Sequence, residues 1–249
     1  MRKPITVSVV TAAYNSSATI RGTIESVLGQ TVPCYEYFII DGNSTDDTVA
    51  IAESYRAAFE EKGIHYTIIS EKDRGIYDAM NKGIARATGT LVGLLNSDDW
   101  YEPIAVETVV ETYARDPFDM MYADLRMIRD EKELGIKRAR LRQNYITTRD
   151  WNHPTTFITG EMYQMYRYAC ETIYDDLDVL LQLHRDHRKI VIVNKILANY
   201  RLGGSSNKKT VKDAWNRMKI KYRLYRKNGF SRLYLLEAVA METAKLILS

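Results

Sequence analysis

The chain has 249 residues, 45% of them apolar and 27% charged, a globular composition that excludes disordered, collagen-like and disulfide-scaffold proteins. No apolar run approaches the roughly 18 residues that span a bilayer. The opening MRKPITVSVV lacks the long apolar stretch and small-residue cleavage site of a signal peptide, so the expected location is cytoplasmic. The formal net charge of +3 covers a segregation: residues 208–232 hold ten Lys or Arg against Asp213 alone, leaving the remainder acidic. Such a basic segment points to an anionic surface, either a membrane leaflet or a nucleic acid.

Along the first 125 residues, short β-branched and aromatic runs alternate with helix-patterned stretches. Strands are expected at Ile5 to Val10, Tyr35 to Ile40, His65 to Ser70, Thr90 to Leu95 and Phe118 to Ala123. Helices are expected at Ala18 to Leu28, Asp46 to Glu61, Ile76 to Ala87 and Ile104 to Arg115, where apolar residues such as Ile76, Met80, Ile84 and Ala87 recur at helical spacing. This βαβ repetition implies an α/β fold with a mostly parallel, Rossmann-like sheet flanked by helices, which binds ligands at the carboxyl ends of its strands. The charged stretch RMIRDEKELGIKRARLRQ suggests an exposed hairpin or loop. Beyond it follow a strand at Thr155 to Thr159, a helix at Leu177 to His187, and two strands close together at Ile190 to Val193 and Ile196 to Arg201. The turn formers Gly203 to Asn207 mark a boundary, dividing a catalytic body, 1–207, from a basic helical segment, 208–249. Cys34 and Cys170 have no metal-ligand spacing and read as reduced thiols.

Four polar clusters fall where expected strands end: Thr11, Ala12, Ala13, Tyr14 and Asn15; Asp41, Gly42, Asn43 and Ser44; Glu71, Lys72, Asp73, Arg74 and Gly75; and Asn96, Ser97, Asp98, Asp99 and Trp100. Each alone is compatible with turn and capping chemistry; four on one sheet edge point to a ligand site. In the fourth, two adjacent carboxylates at the tip of the apolar run LVGLLN repel each other unless a cation lies beside them, and their hard oxygens suit Mg²⁺ or Mn²⁺. The alternative is that Asp98 and Asp99 cap the helix after Pro103. Arg74, beside a helix start, suits phosphate, or else an ion pair with Asp73 or Asp78.

The ordered motifs TAAYNSSATIRGTIESVLGQT, FIIDGNSTDDT, SEKDRGIYDAMNKGIARATG and LVGLLNSDDW resemble the nucleotide-binding half of family 2 glycosyltransferases of the GT-A fold, densely over residues 4–104 and loosely over 150–206. Residues 1–104 would then be the nucleotide-sugar-binding half and 105–207 the acceptor side. The resemblance implies transfer of a sugar, UDP-linked first among candidates, from a nucleotide diphosphate with inversion at the anomeric carbon and a divalent metal, Mn²⁺ or Mg²⁺. It implies donor contacts from Thr11, Ala12, Tyr14, Asn15, Asp41, Asp73, Arg74, Gly75, Asn81 and Asn96. Asp98 would lie near the ribose and Asp99 would hold the metal, Ser97 standing where the family's DxD motif has its first Asp. An inverting transfer needs a base for the acceptor hydroxyl. Aligned on its apolar run, IYDDLDVLLQLHRD puts Asp176 there, with Leu177 where an aromatic is usual and Gln182 where Arg is usual. Asp175 and Asp178 stay open, as does a helix-start role for all three. His153 in WNHPTTFIT resembles a family His near the active site, facing diphosphate, metal or acceptor. The QxxRW motif and membrane helices of processive synthases are absent from this sequence, favouring transfer of a single residue. Rival readings are a nucleotidyltransferase, whose Gly-rich basic phosphate loop TAAYNSSAT lacks, and a non-catalytic nucleotide-binding protein. The expected partners are the donor and a glycan or lipid-linked acceptor of bacterial surface polysaccharide synthesis, with no nucleic acid and with homo-oligomerisation open. Aromatics among the bases of 208–249, namely Trp215, Tyr222, Tyr225, Phe230 and Tyr234, suit peripheral attachment to the inner face of an anionic membrane, or helices packed on the catalytic body or on another subunit.

Overall fold

A computed structural model describes residues 4–142, 145–203 and 210–247. The strands are β1 (Val7–Ala13), β2 (Glu36–Asp41), β3 (His65–Ser70), β4 (Leu91–Asn96), β5 (Trp100–Tyr101), β6 (Met120–Arg129), β7 (Lys132–Lys137), β8 (Phe157–Thr159) and β9 (Ile190–Arg201). The helices are α1 (Ile20–Leu28), α2 (Thr48–Glu53), α3 (Arg56–Glu61), α4 (Ile76–Ile84), α5 (Ala105–Arg115), α6 (Gly160–Met165), α7 (Asp175–Arg185), α8 (Val211–Lys227) and α9 (Tyr234–Ile247), with a 3₁₀ turn at His153–Thr155 before β8.

One sheet runs β3-β2-β1-β4-β8-β6-β9-β5, and β7 pairs with β6. β1 to β4 are parallel, β8 lies antiparallel between β4 and β6, and β9 runs parallel to β6. Every residue of β1 and β2 is buried, as expected of parallel strands covered on both faces. Strand alternation divides their side chains between two cores. Val10, Ala12, Phe38, Ile40, Val92 and Leu94 pack with α4, α7, α8 and α9. Val7, Val9, Tyr37, Ile39 and Leu95 pack on the other face with α1, α3 and α5.

The expected βαβ order is present, with local differences. The helix expected over Asp46 to Glu61 is two, α2 and α3, broken where the Ser54 hydroxyl donates back to the Ile51 carbonyl (2.6 Å), a side-chain bond that competes with the helical ladder. The charged stretch forms the β6–β7 hairpin, turning at Asp130 and Glu131, both with positive φ. The two late strands are one, β9, because an irregularity opposite Ala123 and Asp124 absorbs the exposed Asn194 and Lys195. Of the boundary turn Gly203 to Asn207, residues 204–207 lie outside the described residues.

The basic segment does not form a wholly solvated face. α8 and α9 pack together, and Leu224, Tyr225 and Tyr234 enter the core that covers α7. Lys221 (1% exposed) and Arg217 (6%) are buried and both pair with Glu242, at 2.6 and 2.7 Å. Tyr225 Oη donates to the Ile146 carbonyl (3.1 Å), and the Ile146 N–H donates to Tyr234 Oη (2.7 Å).

Candidate functional site

Register brings the polar clusters to one edge. Ala13 pairs with Asp41, Ala12 with Asn96, and Asp41 with Ser70, so the tips of four parallel strands are level. The loops lie close: a Cβ on Gly42 would stand 2.6 Å from Asp73 Oδ2 and 3.3 Å from the Tyr14 ring. Gly75, with φ of 113°, makes the left-handed turn into α4 that a side chain would strain.

Within this cluster some side chains build the frame and others stay open. Thr11 is fully buried and its Oγ1 accepts from Tyr37 Oη (3.0 Å). Asn15 Oδ1 accepts the Thr45 N–H (2.9 Å), and its own N–H donates to Ser44 Oγ (2.8 Å), stitching the β1 and β2 loops together. Asp41 is fully buried and accepts from the Ser44 N–H (2.9 Å), the Ser44 hydroxyl and Ser70 Oγ (2.6 Å). Asp73 Oδ1 accepts the Gly75 N–H (2.8 Å). Asn81 clasps the backbone of Tyr168, donating to its carbonyl at 2.8 Å and accepting its N–H at 3.3 Å. Tyr14 is 63% exposed. Of the two roles weighed for Arg74, the structure shows the ion pair, with Asp78 at 3.0 Å, yet its side chain stays 78% exposed at the rim.

The β4 tip is gripped from several directions. Ser97 Oγ hydrogen bonds with Ser16 Oγ (2.7 Å), and Thr23 Oγ1 donates to the Asp99 carbonyl (2.7 Å). The Asp99 carboxylate, expected to hold a metal, is enclosed (0% exposed), with Oδ1 accepting the Arg201 N–H at 3.0 Å. Burial, and then the neighbouring Asp98 charge, push its carboxyl well above the usual carboxylate range. The half-buried Asp98 has the more open carboxylate, also raised by burial. Asn96 Oδ1 is buried without a hydrogen-bond partner. Adjacent carboxylates that burial makes costly to ionise, the Asp98 charge adding to the cost at Asp99, together with an orphaned amide oxygen, fit a hard divalent cation. Among the described residues no group of three or more acidic, His or Cys side chains forms a cation cage; Mg²⁺ typically takes only one or two protein carboxylates and completes its shell with water and phosphate.

Arg201, at the end of β9, was not singled out by its sequence context. Its guanidinium lies 5.2 Å from the Trp100 ring, donates to the Asp98 carbonyl (3.4 Å) and pairs with Glu131 of the β6–β7 hairpin. It brings a cation to the acid pair from about 100 residues away.

Across the edge, the structure separates the three acids at the start of α7. Asp175 accepts from the Glu171 and Thr172 N–H groups and the Thr172 hydroxyl, at 3.1, 2.8 and 2.8 Å. Asp178 is held by Lys227 and Asn228. Asp176, half-buried, accepts only the N–H of its own neighbour Leu177 among protein backbone donors (2.8 Å) and acts electrostatically on Tyr77, His153, Tyr163 and Tyr168. Burial pushes the His153 imidazole below its usual range while the Asp176 carboxylate pulls it up. Cys34 is buried, which drives its thiol up to about 12, and Cys170 is half-buried and free. A cavity of about 650 Å³ between Thr88–Thr90, Phe118–Asp119 and Thr159–Glu161 lies at the opposite edge, where β4 begins.

The fold is that of GT-A glycosyltransferases. It superposes on Staphylococcus aureus TarS 1–349, solved in complex with UDP-GlcNAc, with a TM-score of 0.68 at 16% identity, covering 97% of this chain and 72% of that one. It also superposes on the mannosyltransferase PcManGT of Pyrobaculum calidifontis, solved in complex with GDP-Man and Mn²⁺ (TM-score 0.64, 13% identity, 99% and 76% covered). By sequence, 110 residues are 37% identical to the chondroitin synthase of Escherichia coli, covering 44% of this chain and 16% of that protein. A further match, over 122 residues, is 34% identical to a PGL/p-HBAD biosynthesis glycosyltransferase of Mycobacterium tuberculosis strain H37Rv, covering 48% of this chain and 46% of that one. The chain therefore spans less than half the length of these relatives. The sequence pattern of glycosyl transferase family 2 matches residues 8–174, two-thirds of the chain, and with the GT-A sheet edge described above it establishes that this protein belongs to glycosyl transferase family 2.

Proposed function

We propose that this glycosyltransferase moves a sugar from a nucleoside diphosphate donor, UDP-linked first among candidates, to a hydroxyl of a glycan or lipid-linked acceptor, with inversion. The reading is carried by two half-buried carboxylates, Asp98 at the β4 tip and Asp176 in the first turn of α7, the latter held neither by the preceding loop, as Asp175 is, nor by Lys227 and Asn228, as Asp178 is, and lying against the Tyr77 hydroxyl. Tyr14, Asp41, Asp73 and Gly75 form the donor cradle, Arg74 swings from Asp78 to phosphate, and Arg201 adds positive charge beside it. The sequence expectation puts the metal on Asp99; in this reading Asp98, the more open of the two carboxylates, is the ligand that would hold it, while Asp99 anchors β9 through the Arg201 N–H. A bound Mn²⁺ or Mg²⁺ there supplies neutralising charge for the departing diphosphate.

Asp176 accepts the proton of the acceptor hydroxyl as its oxygen bonds to the anomeric carbon; the bond from that carbon to the phosphate oxygen breaks on the opposite face, and its electron pair leaves with the nucleoside diphosphate. His153, whose imidazole burial pushes below its usual range, is a hydrogen-bonding group at the acceptor side. Incubating the protein with a panel of nucleotide sugars, with and without Mn²⁺, tests the reading: donor binding and slow donor hydrolysis with at least one are expected, and neither with any donor refutes it.

Peripheral membrane attachment belongs to the same reading. Among the described residues no helix is long and apolar enough to cross a membrane. α8 presents Lys212, Lys219, Arg223 and Arg226 outward with Trp215 (55% exposed), and Leu233 (71%) and Leu236 (68%) are exposed around the start of α9. Exposed bases are drawn to anionic lipid at about 1 kcal/mol each near the surface. Because α8 shares the catalytic core, point substitutions test this better than truncation: Lys219→Glu with Arg223→Glu should abolish sedimentation with anionic vesicles at low salt. Full-length protein that ignores such vesicles leaves the face to a second copy of the chain, seen as a dimer by light scattering.

A further inference from the structure

The far end of α8 reaches back to the helix that carries the proposed base. Asp178 is 4% exposed, and both its oxygens are taken by α8's last residues: Asn228 Nδ2 donates to Oδ1 at 2.6 Å and Lys227 Nζ to Oδ2 at 2.7 Å. Four residues before Asp178, Tyr174 has the Lys221 ammonium 4.9 Å from the centre of its ring, and the same ammonium pairs with Glu242. Asp176 lies midway between these two held positions, against the Tyr77 hydroxyl and touched by neither α8 nor the preceding loop. A buried carboxylate that loses one partner is left uncompensated, so Asp178 keeps its grip only while the first turn of α7 holds its present place. Neither contact touches the donor cradle at the strand tips.

We propose that Lys227, Asn228 and Lys221 are positioning residues that bracket Asp176, fixing the base against the acceptor hydroxyl from outside the sheet. A base acts only within hydrogen-bond reach of the proton it takes, and a misplacement of about 1 Å costs on the order of 10²-fold in rate. α8 thereby sets the rate of transfer without contacting either substrate. The proposal rests on Asp176 as the base.

Asn228→Ala and Lys227→Met in the full chain, with Asp176→Asn alongside, provide the test. Transfer is measured at saturating donor, donor affinity by calorimetry, and folding by thermal melting. The expected result is a fall in kcat of roughly 10- to 100-fold with donor affinity kept within about twofold. The exchange Asp178→Asn with Asn228→Asp rebuilds an amide–carboxylate pair and should recover most of the kcat lost in Asn228→Ala; it also decides the matter if a single variant fails to fold. Folded variants that keep the parent kcat while Asp176→Asn is inactive overturn the proposal. So does a fall in kcat matched by an equal loss of donor affinity and not recovered in the exchange, which marks α8 as general scaffolding. Transfer by Asp176→Asn at the parent rate instead refutes the base assignment itself.

Discussion

The strand-tip cluster and the first turn of α7 are built in opposite ways. At the strand tips, segments following adjacent parallel strands bond to each other, Asn15 to Ser44 and Thr45, Asp41 to Ser70, Ser16 to Ser97. The strand register alone brings them together. At the start of α7 the neighbours come from elsewhere in the chain, with Asp178 held by residues about 50 positions downstream and Tyr174 covered by Lys221. A site assembled by register tolerates change around it, whereas one assembled by distant packing depends on elements that touch no substrate.

Substitutions on the two sides should separate binding from chemistry. Asp176→Asn, which keeps shape and removes the proposed base, should lower transfer by about 10²–10⁴ with donor affinity unchanged in calorimetry; an equal loss of both would merge the two regions into one functional unit. On the donor side, Asp98→Asn should weaken Mn²⁺-dependent donor binding by roughly 10- to 100-fold. Asp99→Asn, which retains an oxygen for the Arg201 N–H, should cost less, and titration of donor at fixed Mn²⁺ gives the order. If Asp99→Asn proves the more damaging, the enclosed carboxylate is the ligand and the β4 tip rearranges around the cation.

The smallest effect belongs to the C-terminal pair. Glu237 is 7% exposed and both its carboxylate oxygens lack hydrogen-bond partners, so burial raises its pKa. A carboxyl raised in the folded state binds its proton more tightly there than in the unfolded chain, so folding loses stability as pH climbs through the unfolded value toward the raised one. Glu237→Gln should therefore raise the melting temperature at pH 8, by about 2–4 °C per kcal/mol recovered, and leave it unchanged near pH 4. A gain of the same size at both pH values would trace it to packing.

Much of the donor side was legible in the sequence, because a parallel strand followed by a polar tip and an amphipathic helix is a local pattern. The split at Ser54 and the irregularity in β9 escaped, since each depends on one side-chain bond or two extra residues rather than on periodicity. For the acid pair, the sequence identified the two residues, but the Arg201 N–H that closes Asp99 arrives from a strand 102 residues away. For the three acids of α7, alignment on the apolar run favours Asp176 and leaves Asp175 and Asp178 open, and their different partners in space, which no local pattern encodes, set the three apart. The basic segment read as a surface because nothing local signals that Lys221 and Arg217 turn inward to meet Glu242.

The insertion of β8 between β4 and β6 has a consequence for how the chain is born. β4 is complete at Asn96, yet the neighbour that covers its free edge begins at Phe157. At synthesis rates of about 5–20 residues per second, the intervening stretch of roughly 60 residues takes several seconds to emerge. Through that interval a finished apolar strand presents open N–H and C=O groups to any other nascent chain. Until β8 emerges, the early half of this enzyme thus carries an open sheet edge, and slowing the ribosome between codons 97 and 157 lengthens its exposure.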